Sequence, residues 1–471
     1  MRHASTSATK KAGPLAGITV VSLEQAIAAP FCTRQLADLG ARVIKVERPG
    51  VGDFARNYDT RVNGLASHFV WTNRSKESLA LDLKKPSDHS VLMRLLGRAD
   101  VLVQNLAPGA SARLGLSYDD LKAAHPSLIV CNISGYGPDG PYRDKKAYDL
   151  LIQSEAGMLS VTGTGKEPAK VGISIADISA GSYAYSNILA ALYQRERDPS
   201  KRGCNIDISM LESMVEWMGF PMYYTYENAP GPTPAGASHA AIYPYGPFET
   251  GDGTVMLGIQ NEREWAKFCD IVLGQPSLAT NERFVNNSLR SQNRDELKKI
   301  IGAAPAGASH AAIYPYGPFE TGDGTVMLGI QNEREWAKFC DIVLGQADLA
   351  TDERFVNNSL RSQNRDELKK IICDVFSSLS AEQVIARLDA AAIANASVND
   401  MQGVWNHPQL KARQRWTDVK TPAGSVPALL PPGMTMGDED TYGARMDAVP
   451  DVGEHNKAIL AELGLDEGTE K

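Results

Sequence analysis

GITVVSLEQAIAAPFCTRQLADLGARVIKVE, residues 17–47, decides the fold class of this chain. GITVVSL (17–23) is an apolar run long enough for a buried strand. Pro30 then opens a helical stretch that closes at Gly40, and ARVIKVE (41–47) reads as a second strand. Strand, helix and strand within about 30 residues imply a right-handed crossover and a parallel sheet. Further units follow in both directions of the same logic: LALDL (79–83) as a strand, VLMRLLGRA (91–99) as a helix, then DVLVQN (100–105) and LIVCNIS (128–134) as strands. The expectation is an α/β protein whose large domain is a doubly wound parallel sheet, with its ligand at the carboxyl ends of the strands. Polar residues gather at those ends: Glu47-Arg48, Asn105 and Gly135-Tyr136-Gly137.

The usual nucleotide signatures are missing from that frame. No GxGxxG follows the first strand, and no GxxxxGK[ST] occurs anywhere, which weakens the dehydrogenase and P-loop readings. A net charge of −8, from 56 acidic and 48 basic residues, argues against a surface built for nucleic acid or anionic membrane. The six cysteines have no metal spacing and read as reduced thiols of a cytoplasmic protein, with no metal site expected. Residues 1–13 read as a disordered leader without the apolar core of a signal peptide, and no run approaches the ~20 apolar residues of a membrane span.

The middle of the chain carries a repeat. Residues 234–301 and 305–372 differ at three positions, Pro276/Ala347, Ser277/Asp348 and Asn281/Asp352. Solenoid units share a pattern rather than a text, so near-identity marks a tandem duplication. Each copy holds a strand-helix unit, TVMLGIQ followed by NEREWAKFCDIVL, and a Gly-rich PAGASH stretch.

Six segments together carry a resemblance: PLAGITVVSLEQAIAAPFCTRQLADLGARVIKVERPGVGD (14–53), NRSKESLALDLKKP (73–86), ADVLVQNLAPGASARLGL (99–116), ISGYGPDGPY (133–142), AYDLLIQSEAGMLSVTG (147–163) and PDVGEHNKAILAELGL (450–465). In this order they resemble the class III CoA-transferases, the family of formyl-CoA transferase and carnitine CoA-transferase. The wording is most similar to members that handle C4–C5 dicarboxylic acids. The resemblance implies a large domain over 14–225 completed by 405–471, a small domain over 226–404 beginning at the Pro/Gly-rich NAPGPTPAG (228–236), and a homodimer of interlocked rings. It implies coenzyme A and an acyl-CoA as substrates, succinyl-CoA being the first donor to try, and no tightly bound cofactor.

The same resemblance makes Asp149 the covalent nucleophile, which takes CoA through a mixed anhydride to an aspartyl-CoA thioester. Its place near the start of a predicted helix favours an anion; the bland alternative is a helix cap. Arg48, Lys76, Asn105, Arg113 and Lys146 match CoA-contacting or adjacent positions, while Arg56, Arg61 or Arg74 could serve a far carboxylate. A glycine-rich loop closing over the intermediate would bring Gly236 and His239, or Gly307 and His310, near Tyr148. The related 2-methylacyl-CoA racemases carry His where Tyr148 stands, so the racemase reading ranks second, and Asp177, matching the racemase's distant acid, is read as structural or substrate-positioning. A third reading is a CoA-binding protein silenced by the duplication.

Overall fold

The computed structural model describes residues 13–465, apart from 164–166, 168, 230, 233, 235–241, 250–253, 260, 303–313, 324, 331–332, 392, 398–400 and 437–442. The chain divides into two compact units, one of Met1–Ser160, Ala169–Gly231 and His407–Lys471, the other of Val161–Pro168 and Pro232–Asn406.

The first unit is built on six parallel strands: β1 (Thr19–Leu23), β2 (Arg42–Glu47), β3 (Lys76–Ala80), β4 (Val101–Gln104), β5 (Ile129–Ser134) and β6 (Asn205–Ser209). Their order is β3-β2-β1-β4-β5-β6, and every neighbouring pair is parallel. The order reverses between β1 and β4, which leaves a crevice at their carboxyl ends where α/β sheets bind ligands. One face of the sheet buries Val20, Val43, Val103 and Ile129 against the helices Ala28–Asp38 and Ile175–Arg197; the other buries Val21, Ile44, Leu102 and Val130.

Two expected elements sit elsewhere. The third strand begins at Lys76 rather than Leu79, and the helix after it runs Pro86–Leu96 rather than 91–99. Charge at Lys76 and Glu77 hides the strand from a hydrophobicity pattern, and each charge is answered from afar. Lys76 Nζ donates to Glu24 Oε1 at 2.6 Å, and Glu77 takes both Nε and an Nη of Arg42 at 2.8 Å. The helix start follows from Pro86 at its first turn, where the missing N–H costs nothing.

The second unit contains the duplication. Copy one forms the ribbon β7 (Tyr245–Glu249) and β8 (Thr254–Gly258); copy two forms β9 (Tyr316–Glu320) and β10 (Thr325–Gly329). Among the described residues only copy two's ribbon is extended, by β11 (Ala394–Ser397) running antiparallel to β10.

The chain then rejoins the first unit as the hairpin β12 (Trp416–Thr421) and β13 (Gly424–Leu429). The end is stitched to β3: His455 N–H donates to the Ser78 carbonyl at 3.1 Å, and Asn456 Oδ1 accepts Ala80 N–H at 2.7 Å. Among the described residues no helix is long and apolar enough to cross a membrane, and no cluster of potential metal ligands is present.

Candidate active site

The crevice between β1 and β4 is shaped by four residues, Gln25–Ala28. Asn105 clamps Gln25 from both sides, its Oδ1 accepting Gln25 N–H at 2.8 Å and its Nδ2 donating to the Gln25 carbonyl at 2.9 Å. Ala26 stands at φ 62°, a region alanine rarely adopts, and its N–H is held by Asp53 Oδ1 at 3.1 Å. The loop emerges with the Ala28 N–H near the carboxylate of Asp177.

Beneath the loop lies a buried ionic cluster that no local pattern announces. Lys45 Nζ reaches Asp53 Oδ2 at 2.7 Å and Asn73 Oδ1 at 3.1 Å, with Glu24 Oε1 at 3.4 Å; Thr33 Oγ1 donates to Glu24 Oε2 at 2.6 Å. With Lys76 also on Glu24, two cations face two anions, and all four side chains are wholly buried or nearly so. Burial pushes Lys76 down to about 8 with Lys45 beside it, against the pull of Glu24. Burial alone would raise Glu24, yet the two lysines hold it below the ordinary carboxylate range. The cluster anchors Asp53, which in turn holds Ala26.

Asp177 arrives on the helix Ile175–Arg197, in its first turn, where the positive helix end favours a carboxylate. Gly181, one turn on, allows this helix to lie against the start of the helix Ala28–Asp38. A Cβ there would come within 2.5 Å of the Ala28 carbonyl oxygen. Small residues line the same seam, with Ala28, Ala29, Ala176, Ala180 and Ala184 all buried. Burial raises the Asp177 carboxyl to about 7, and the negative charge of Asp149 adds to the rise while the Ala28 N–H opposes it. Tyr58 belongs to the same neighbourhood: burial first, then Asp53, Asp177 and Tyr148, lift its phenol above its ordinary value and keep it a hydrogen-bond donor.

Asp149 is the first residue of the helix Asp149–Glu155, as its sequence context predicts. Both of its oxygens are engaged. Oδ2 accepts from Gln153 Nε2 at 2.7 Å, and Oδ1 accepts Ala176 N–H at 2.8 Å. Buried Gln153 also accepts Val171 N–H at 2.9 Å, so the DLLIQ pair brackets the strand of chain that leads into Asp177. Gly135 supports the approach from β5, since a Cβ there would meet the Ala147 side chain at 2.2 Å. Tyr148 precedes Asp149 and is 68% exposed.

The remaining sequence candidates separate into two groups. Arg48, Arg113 and Lys146 are exposed, on segments that leave the carboxyl edge of the sheet after β2, β4 and β5. Lys76 and Asn105 are not presented to solvent phosphates: Lys76 is spent in the buried cluster and Asn105 on the Gln25 backbone. Of the cations considered for a far carboxylate, Arg56 is paired with Glu47 and Arg74 with Asp38, each through two hydrogen bonds, and Arg61 is exposed. Gly236, His239, Gly307 and His310 lie outside the described residues. A cleft of about 490 Å³ is lined by Ile27, Ser174 and Ile178, chain neighbours of Ala28, Ile175 and Asp177.

The sequence pattern of CoA-transferase family III matches residues 15–307 and again 302–456, together nearly the whole chain. The chain belongs to that family. As a CoA-transferase family III member it is a transferase enzyme, and its relatives agree in kind. It is 31% identical over 473 residues to an acyl-CoA transferase of Fusarium pseudograminearum, an alignment covering 98% of this chain and 87% of the fungal one. It is 36% identical over 292 residues to the succinyl-CoA:glutarate CoA-transferase of Mus musculus, covering 62% and 66%. A CAIB/BAIF family protein from Brucella suis has a similar solved structure, with a TM-score of 0.66 at 28% identity over 96% of this chain and 100% of that one. The first family match spans the first repeat copy and the second match spans the second.

Proposed function

We propose that the protein moves CoA from an acyl-CoA, succinyl-CoA first among candidates, to a small dicarboxylic acid through an aspartyl-CoA thioester, and that Asp149 carries the thioester with Asp177 as its positioning neighbour. The observation that carries this assignment is the contrast between the two carboxylates. Asp149 is oriented at the start of its helix by one hydrogen bond to each oxygen, from Gln153 Nε2 and the Ala176 N–H, and each oxygen keeps a lone pair for attack. Asp177 is raised to about 7 by burial and by the charge of Asp149, and a carboxyl that holds its proton is no nucleophile. The substrate class follows the succinyl-CoA:glutarate relative.

In the first step an Asp149 oxygen attacks the thioester carbonyl, the C–S bond breaks, and CoA leaves as thiolate. The thiolate then attacks the Asp149 carbonyl carbon of the mixed anhydride and expels the donor acid as a carboxylate, which leaves the thioester on the protein. The acceptor carboxylate repeats both steps in reverse and departs as its CoA ester. Negative charge gathers on carbonyl oxygen in each addition, and the Tyr58 hydroxyl, in the neighbourhood of Tyr148 and Asp177, is a donor at hand to receive it. Arg48, Arg113 and Lys146 supply cations for the CoA phosphates. A homodimer belongs to the same proposal, supported by the exposed aromatic residues Phe220, Tyr223 and Tyr226.

Kinetics of two variants test the assignment. Asp149→Asn abolishes transfer, while Asp177→Asn leaves a slowed enzyme. Asp177, raised to about 7, is neutral below that value and charged beside the nucleophile above it, so the rate is expected to change through that range. Asp177→Asn is expected to remove that change. Abolished transfer in Asp177→Asn with activity surviving in Asp149→Asn assigns the thioester to Asp177 instead.

A further inference from the structure

The two copies share the strand text TVMLG, yet one of these strands has a neighbour that the other lacks. β10 pairs with β9 on one side and β11 on the other, whereas among the described residues β8 pairs with β7 alone. The ladder tells which backbone groups β8 turns away from β7. Ile259 N–H donates to the Pro244 carbonyl at 3.0 Å, so Val255 and Leu257, in step with Ile259, direct their N–H and C=O toward β7. By alternation Thr254, Met256 and Gly258 direct theirs outward. Copy two has the same phase, with Ile330 N–H on the Pro315 carbonyl at 2.9 Å, and there the outward residues Met327 and Gly329 stand opposite Ala396 and Ala394 of β11. The outer edge of β7 is closed to such pairing, because Pro247 falls on that side and has no N–H. Nothing comparable guards β8, which contains neither charge nor proline.

We infer that the outer edge of β8 is an interaction surface for a second copy of this chain, whose own β8 lies antiparallel to it about a two-fold axis at Met256. The strand is self-complementary in that register. Met256 meets Met256 of the second copy and Thr254 meets its Gly258, so every outward-turned residue faces another. Stoichiometry selects β8 rather than β11 as the occupant. Each chain has two ribbons and one β11, and a β11 lent to a neighbour's β8 opens one β10 for each β8 it closes. Pairing β8 with β8 closes two edges at once and turns two marginal two-stranded ribbons into one four-stranded sheet. The surface belongs to copy one and is independent of the transfer chemistry.

Cysteine cross-linking of the full-length protein tests the pairing. Directly opposite residues of a hydrogen-bonded antiparallel pair lie about 5.5 Å apart between Cα atoms, within the reach of a disulfide. Met256→Cys, oxidised with glutathione disulfide, is expected to give a disulfide-linked dimer whose bridge peptide mass spectrometry places between the two residues 256. Met327→Cys, on the strand that β11 already covers, is expected to cross-link at least about tenfold less. Thr254→Pro added to Met256→Cys removes an outward N–H without touching the β7 ladder, and is expected to lower the cross-link at least about tenfold. Deleting 302–372 from the Met256→Cys chain lets β11 cover β8 and is expected to abolish it. A Met256→Cys chain that forms no 256–256 bridge overturns the surface, and so does a Met327→Cys chain that bridges equally well. A bridge undiminished by Thr254→Pro overturns it too, by showing contact without backbone pairing.

Discussion

Residues 234–301 and 305–372 are nearly one text placed in two settings. Locally they fold alike. In each, a buried tryptophan lies beside a phenylalanine, Trp265 and Phe268 at 5.9 Å and Trp336 and Phe339 at 6.0 Å, under a buried arginine. Arg290 donates to the Tyr243 carbonyl and to Glu262, and Arg361 donates to the Tyr314 carbonyl and to Glu333 in the same way. Their surroundings differ. Copy one's last helix stops at Gly302 and its core is confined to its own residues. Copy two's helix runs on to Phe376, whose ring meets Phe319 and Phe339 at 6.0 and 6.3 Å, and its core adds Val384, Leu388 and Ile393. The difference teaches that the segment encodes its own strands, helices and arginine clasp, while sheet completion is decided by the residues that follow it. An isolated two-stranded ribbon is marginal, and β11 is available to one copy only.

The largest effect that sharpens this contrast comes from the matched pair Trp265→Ala and Trp336→Ala. Each truncation of a fully buried tryptophan costs about 3–5 kcal/mol. Amide exchange is expected to show the first loss confined to 243–302 and the second spreading through 381–397. Identical footprints would break the contrast. Phe376→Ala comes next, at about 3 kcal/mol, and it loosens copy two alone; equal loosening of copy one would show that the copies share a core. Deletion of 302–372 joins Ile301 to Cys373, as Ile372 is joined now, and lets the remaining copy pair with β11. Such a chain is expected to fold and to keep transfer activity, and failure to fold would make both copies structural. The smallest effect is that of converting copy one to copy two at Pro276, Ser277 and Asn281. None of these three is buried, and each change is expected to stay within about 0.5 kcal/mol in thermal unfolding.

Wherever burial follows hydrophobicity, the fold could be read directly. GITVVSL and ARVIKVE became β1 and β2 because their apolar residues face helices on both sides of the sheet. β3 starts ahead of its apolar run because Lys76 and Glu77 are made acceptable by Glu24 and Arg42, partners that no local pattern reveals. β6 was missed because its exposed Asn205 and Asp207 alternate along a polar edge. The site shows the same division. Asp149 announces itself by its motif and its helix start, and its bonds tie it to Ala176 and Gln153. What raises Asp177 is burial first and then the charge of Asp149 from another helix, with the Ala28 N–H opposing, none of which GISIADISAG records. Its one local sign is Gly181, the residue that lets the two helices close. Lys76 and Asn105 matched the family's CoA-contacting positions, and the structure commits both to holding the loop that shapes the crevice.

The central claim is that the carboxylate at the start of the helix Asp149–Glu155 is the one that carries CoA. Its most direct test is to incubate the full-length wild-type protein with succinyl-CoA, reduce any protein thioester with borohydride, and locate the modified residue by peptide mass spectrometry. The account predicts the reduced side chain at Asp149 with Asp177 unmodified. Modification at Asp177 with Asp149 intact would contradict it.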